Sequence, residues 1–156
     1  MRSLTCIMAL ALLVHCGCGP KAIAPSGAGF KENASDPQEL ARLKGTWDVV
    51  AIVAAGKPVP PERVQGIKLQ YIFDGDKLTV HRPDRKDNVD TFVLDVSSNP
   101  KKMRINRSLT QRAAYALEGN RLRLCMMVDD NPNAGYPADL VSRESPKTDL
   151  LTLERH

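Results

Sequence analysis

The chain has 156 residues, enough for one domain, with 42% hydrophobic and only 4% aromatic residues. Its core must therefore be aliphatic, and the composition is not that of a disordered chain. The formal net charge is +4, but bases are interspersed with acids rather than striped, which argues against nucleic acid as the designed partner.

The first element is an export signal. Met1 and Arg2 give a positive start, and Leu4 to Val14 form an apolar run of eleven residues. That is too short to span a membrane and right for the hydrophobic region of a signal peptide. The run ends in HCGCGP, where a Cys resembles the lipobox of bacterial lipoproteins. Two registers compete. Cys16 has Leu13 and Val14 at the favoured distances but His15 directly before it. Cys18 has the small Gly17 before it but His15 three residues back. The expected product is a lipid-anchored protein of the cell envelope, with a soluble secreted or periplasmic form as the alternative. Residues 1–18 are read as the leader, 19–35 as a flexible tether rich in Gly, Pro, Ala and Ser, and 36–156 as the folded domain.

In that domain Asp36 suits an N-cap, Pro37 the first helical position and Glu39 the third residue past the cap, as in a capping box. These predict a helix over 37–44, with Gly45 as its left-handed stop. Everything after it reads as strands. TWDVVAIVA is β-branched and apolar. In GKPVPPERVQG, Pro61 to Gln65 suit one helical turn ended by Gly66. IKLQYIFDG alternates Ile67, Leu69, Tyr71 and Phe73 with polar residues, the pattern of a half-buried strand. DGDK turns the chain into LTVHRP; NVDTFVLDV and a short MRI follow. RAAYALEGNRLRLCMMV is the clearest hairpin: its arms meet at Glu118-Gly119-Asn120-Arg121, with Leu122, Leu124 and Met126 on one face and Arg121 and Arg123 on the other. A polar loop from Asp129 to Thr148 leads to a closing LLTLER. Eight short strands with tight turns predict an all-β antiparallel sandwich or up-and-down barrel.

Gly45-Thr46-Trp47, with the chain's only tryptophan, resembles the Gly-x-Trp strand start of the lipocalin and calycin barrels. The resemblance implies a small eight-stranded antiparallel up-and-down, lipocalin-like barrel preceded by a short N-terminal helix. It also implies that Trp47 closes one end and that Arg155, near the end of the last strand, packs across it; a guanidinium over an indole face is attractive as packing and as a cation–π contact. LKGTWDVVAIVAAGKPVPPERVQGIKLQYIFDGDKLTV, TFVLDVSSNPKKMRI, YALEGNRLRLCMM and LLTLER together resemble a family of short exported domains known from planctomycete bacteria. That family has no assigned function, so the resemblance carries over no catalytic residue.

Enzyme constellations are missing from the sequence. The three histidines, His15, His81 and His156, have no ligand spacing, and Ser97 and Ser98 have no base nearby. Cys125 reads as a buried structural thiol. Asp129, Asn131 and Asn133 resemble a calcium loop, but Leu140 stands where the closing Glu belongs and Ala134 where Gly does. The expectation is therefore no enzyme, no metal and no cofactor. Asp129, Asp130, Asn131 and Tyr136 are the candidate recognition loop. The expected partners are a membrane, reached through the lipid anchor, and either a small apolar ligand in the barrel or an envelope protein or surface polymer recognised by the loops of a filled barrel.

Overall fold

A computed structural model describes Phe30 and residues 36–106, 111–128 and 135–156. The leader, Cys16 and Cys18, the rest of the tether and the loop residues Asp129, Asp130 and Asn131 lie outside the described residues. Among the described residues no helix is long and apolar enough to cross a membrane.

Helix α1 (Pro37–Leu43) starts at Asp36, whose carboxylate accepts the Gln38 N–H at 2.9 Å. It ends one residue before the sequence reading. Gly45 does not close it in a left-handed turn; instead it opens β1 at φ +128°, a backbone angle that glycine adopts without strain. The strands that follow are β1 (Gly45–Ala54), β2 (Lys57–Pro58), β3 (Gln70–Asp74), β4 (Lys77–His81), β5 (Asn88–Asp95), β6 (Lys101–Asn106), β7 (Gln111–Glu118), β8 (Arg121–Met127) and β9 (Thr148–Arg155). β1 pairs antiparallel with both β2 and β3, each strand from β3 onward pairs antiparallel with the next, and β9 returns to pair with β1. Eight of these strands close the barrel; the two-residue β2 is an addition on the far half of β1.

Helix α2 (Pro61–Ile67) lies between β2 and β3 and is longer than one turn. Gly66 sits inside it, and the left-handed residue that ends it is Lys68, at φ 48° and ψ 47°. The strand expected from Ile67 therefore begins at Gln70. β1 explains why a helix fits there: its first half pairs with β3 from Gly45 to Asp48, and its second half with β2 at Val53 and Ala54. A register shift against β9 between Val49 and Ala51 is a bulge, which bends the strand. α2 fills the resulting gap and contributes Val64 to the core.

Alternation sets which side chains face inward. Trp47 of β1, Leu78 of β4, Met103 and Ile105 of β6, Tyr115 of β7 and Leu124 of β8 are all 0% exposed. A side chain with no accessible surface borders no water-sized void, so at these levels the wall is packed on its neighbours. Phe73 and Phe92 meet edge to face at 5.4 Å across the interior, the preferred aromatic geometry. The β7–β8 turn is the expected one, with Glu118 opposite Arg121 and Gly119 at φ 59°.

Candidate functional site

One end of the barrel is closed by α1. The Trp47 indole N–H donates to the Leu43 carbonyl at 2.7 Å, which ties the plug to the last residue of the helix. Arg155 is the cross-strand partner of Trp47, and its guanidinium lies 4.6 Å from the indole centroid. The same guanidinium donates to the Arg42 carbonyl, so β9, β1 and α1 converge on one planar stack. Its Nε is buried with no hydrogen-bond partner, which leaves the ring face and the Arg42 carbonyl as what holds it.

Beside this stack a carboxylate is buried. Glu39 is 3% exposed. Its Oε1 accepts from Lys101 Nζ at 2.7 Å and from the Tyr115 hydroxyl at 3.3 Å, and its Oε2 accepts from Arg42 at 3.0 Å. The capping-box role expected of Glu39 is not what it does: its oxygens turn into the barrel end, and Asp36 caps the helix alone. Burial first, and the Glu39 carboxylate second, push the Tyr115 phenol well above the usual tyrosine range. Each group supplies what another lacks, as a buried ion pair requires. The arrangement fastens the plug. On the outer lip of this end, Glu118, Asn120, Arg121, Glu154 and Arg155 line an open polar dish of about 470 Å³, in which Arg121 already pairs with Glu154 at 2.8 Å.

The opposite end is rimmed by partly buried apolar side chains, Ile52, Leu69, Val80 and Met126, that pack on the core. There His81 Nδ1 meets Asp87 Oδ1 at 2.6 Å across the β4–β5 connection. The described part of the long loop, 135–147, folds back over the outside of β8 and β9. Arg123 donates to the Leu140 carbonyl at 3.1 Å, and Ser142 donates to the Thr148 carbonyl at 2.6 Å. Arg143 pairs with Asp139, which raises the guanidinium further and lowers the carboxyl. Cys125 has outward parity yet is fully buried beneath this segment, its thiol 3.6 Å from the Val141 carbonyl. Burial raises the thiol above its usual range, so it is a poor nucleophile there.

Tyr136 lies on this outer shell, and Phe30 stacks on it with centroids 5.2 Å apart and planes at 10°. Lys102 Nζ sits 5.5 Å from the Tyr136 centroid and the Arg104 guanidinium 5.2 Å from that of Phe30. Arg104 and Arg112 are direct partners across β6 and β7. Phe30, Lys102, Arg104 and Arg112 were not legible as a group: they come from the tether and from two strands, and only the hairpin register brings them together. Among the described residues no three His, Cys, Asp or Glu converge as metal ligands would.

Fold and ends together define an eight-stranded antiparallel barrel domain, helix-plugged at one end and covered along β8 and β9 by residues 135–147. No family model matches the chain, and no curated protein matches it.

Proposed function

We propose that the protein is a non-enzymatic cell-envelope domain, lipid-anchored through Cys16 or Cys18, whose barrel interior is core and whose outer surface meets its partners. The observation that carries this reading is the complete burial of Trp47, Leu78, Met103, Ile105, Tyr115 and Leu124, drawn from five strands around the wall. A carrier barrel of eight strands needs empty space among such side chains. Tyr136, from the candidate recognition loop, lies instead on the outside, stacked on Phe30 and beside Lys102.

A small apolar ligand bound at the rim is the second reading, favoured by the partly buried Ile52, Leu69, Val80 and Met126 at the end away from α1. Thermal unfolding with long-chain fatty acids and isoprenoids separates the two. A ligand at a hundred times its Kd would stabilise the fold by about 2.7 kcal/mol, a shift of several degrees. The filled-core reading expects no shift with any of them. A saturable rise in melting temperature would establish the carrier instead.

A further inference from the structure

We infer that Tyr136, Lys102 and Arg104 form a recognition site on the outside of the barrel for an aromatic side chain of a partner protein, and that the chain's own Phe30 occupies it. This rests on the reading that the outer surface meets the partners. It adds the site, the chemistry it takes and the contact that keeps it closed.

The site is built on fixed supports. Lys102 and Arg104 stand two residues apart on β6, so both project from one face of the sheet, and the pairing of β6 with β5 and β7 holds their spacing. Tyr136 precedes the buried Pro137. The segment that follows is pinned to the barrel by Arg123 on the Leu140 carbonyl and by the Gly56 N–H on Ser142 Oγ at 2.8 Å. The barrel, not the ring that enters, sets the walls.

What enters is a ring. Phe30 stacks on Tyr136 with planes at 10°, and each ring also meets a cation of β6, Lys102 for the tyrosine and Arg104 for the phenylalanine. A parallel stack and a cation both act on a π face, which an aliphatic side chain of equal bulk lacks. Such contacts coexist with hydrogen bonds at the N–H edges of the cation. Phe30 is half-buried, as is Tyr136, and lies outside the core cluster of the described residues. A stack of this kind favours the paired state by about two- to twelvefold beyond the area it buries, so closed and open sites exchange. Phe30 and Asp36 are six positions apart in one chain. The occupant therefore acts in cis, and a partner's ring binds by displacing it.

The test uses the full-length protein and a peptide of residues 26–34, SGAGFKENA, followed by NMR. With three Phe and three Tyr in the chain, each ring can be assigned. In the unmodified protein the ring protons of Phe30 and Tyr136 should cross-relax. In Phe30→Ala the Tyr136 ring should shift, and the peptide at millimolar concentration should reverse that shift and move the amides of Lys102 and Arg104. The unmodified protein should bind the peptide about three- to thirteenfold more weakly, because only its open fraction accepts a ring. A peptide with cyclohexylalanine in place of its phenylalanine should bind neither protein. Phe30→Tyr, which keeps a π face, should leave the site closed. The cross-relaxation and the comparison of the two peptides on the unmodified protein need no variant. Equal binding of the cyclohexylalanine peptide overturns the proposal, as does equal affinity of the unmodified and Phe30→Ala proteins. So do N-acetylglucosamine oligomers that shift Tyr136 when the peptide does not. No binding at Tyr136, with Phe73 and Phe92 unmoved, sinks this site alone. Shifts at the Phe73 and Phe92 rings, which meet inside the barrel, sink the outer-surface reading with it.

Discussion

Glu39 is the residue on which the plugged end turns. Removing it leaves the Lys101 ammonium and the Tyr115 hydroxyl without their shared acceptor. Breaking a buried pair from one side costs about 3–5 kcal/mol; Lys101, with a side chain 31% exposed, regains some water, so Glu39→Ala should cost about 2–3 kcal/mol in urea unfolding. Arg42→Ala removes the partner on the other oxygen, but that side chain is 53% exposed and should cost under about 1 kcal/mol. Equal losses from the two would mean that Glu39 holds nothing but its own helix. Tyr115 adds a pH dependence. A raised phenol pKa means that the fold favours the neutral form. Its contribution is complete below the ordinary value of 10.0 and is lost as pH rises above that value toward the folded one. Of the three tyrosines, Tyr115 should ionise only as the protein unfolds, read as a tyrosinate absorbance step that coincides with loss of near-ultraviolet dichroism. Free titration of Tyr115 in the folded protein would contradict its burial against Glu39.

At the scale of elements, the sequence marked those whose signals are local. Gly119-Asn120 set the β7–β8 hairpin in its observed register, and the pairing of Trp47 with Arg155 was implied by the resemblance of Gly45-Thr46-Trp47 to the lipocalin strand start. What stayed hidden depends on tertiary placement. Glu39 has the spacing of a capping residue, and nothing local says that a lysine from β6 will draw its carboxylate inward. Gly66 looks like a helix stop, yet α2 runs on to Ile67 because packing Val64 in the gap beside β1 outweighs one unfavourable residue. The stop falls on Lys68, exposed and left-handed. A non-glycine residue there costs about 1–2 kcal/mol, partly offset by the extra chain entropy of glycine. Lys68→Gly should therefore raise stability by about 0.5–1 kcal/mol in denaturant unfolding. A loss would mean that the lysine side chain contributes packing that its exposure does not suggest.

For the whole molecule, only the pairing of β6 with β7 sets Arg104 directly opposite Arg112, a neighbourhood that composition alone does not show. The sequence left open whether an aliphatic barrel is container or core, because alternation specifies which side chains point inward and not whether they meet. They do meet at Trp47, Leu78, Met103, Ile105, Tyr115 and Leu124, which supports the proposal that the protein works from its outside. The deciding experiment is native mass spectrometry of the full-length protein purified from its native cells, before and after denaturation. A filled barrel gives the polypeptide mass plus any covalent acyl group, the same in both spectra. A discrete non-covalent mass released on denaturation would contradict it and make the barrel a carrier.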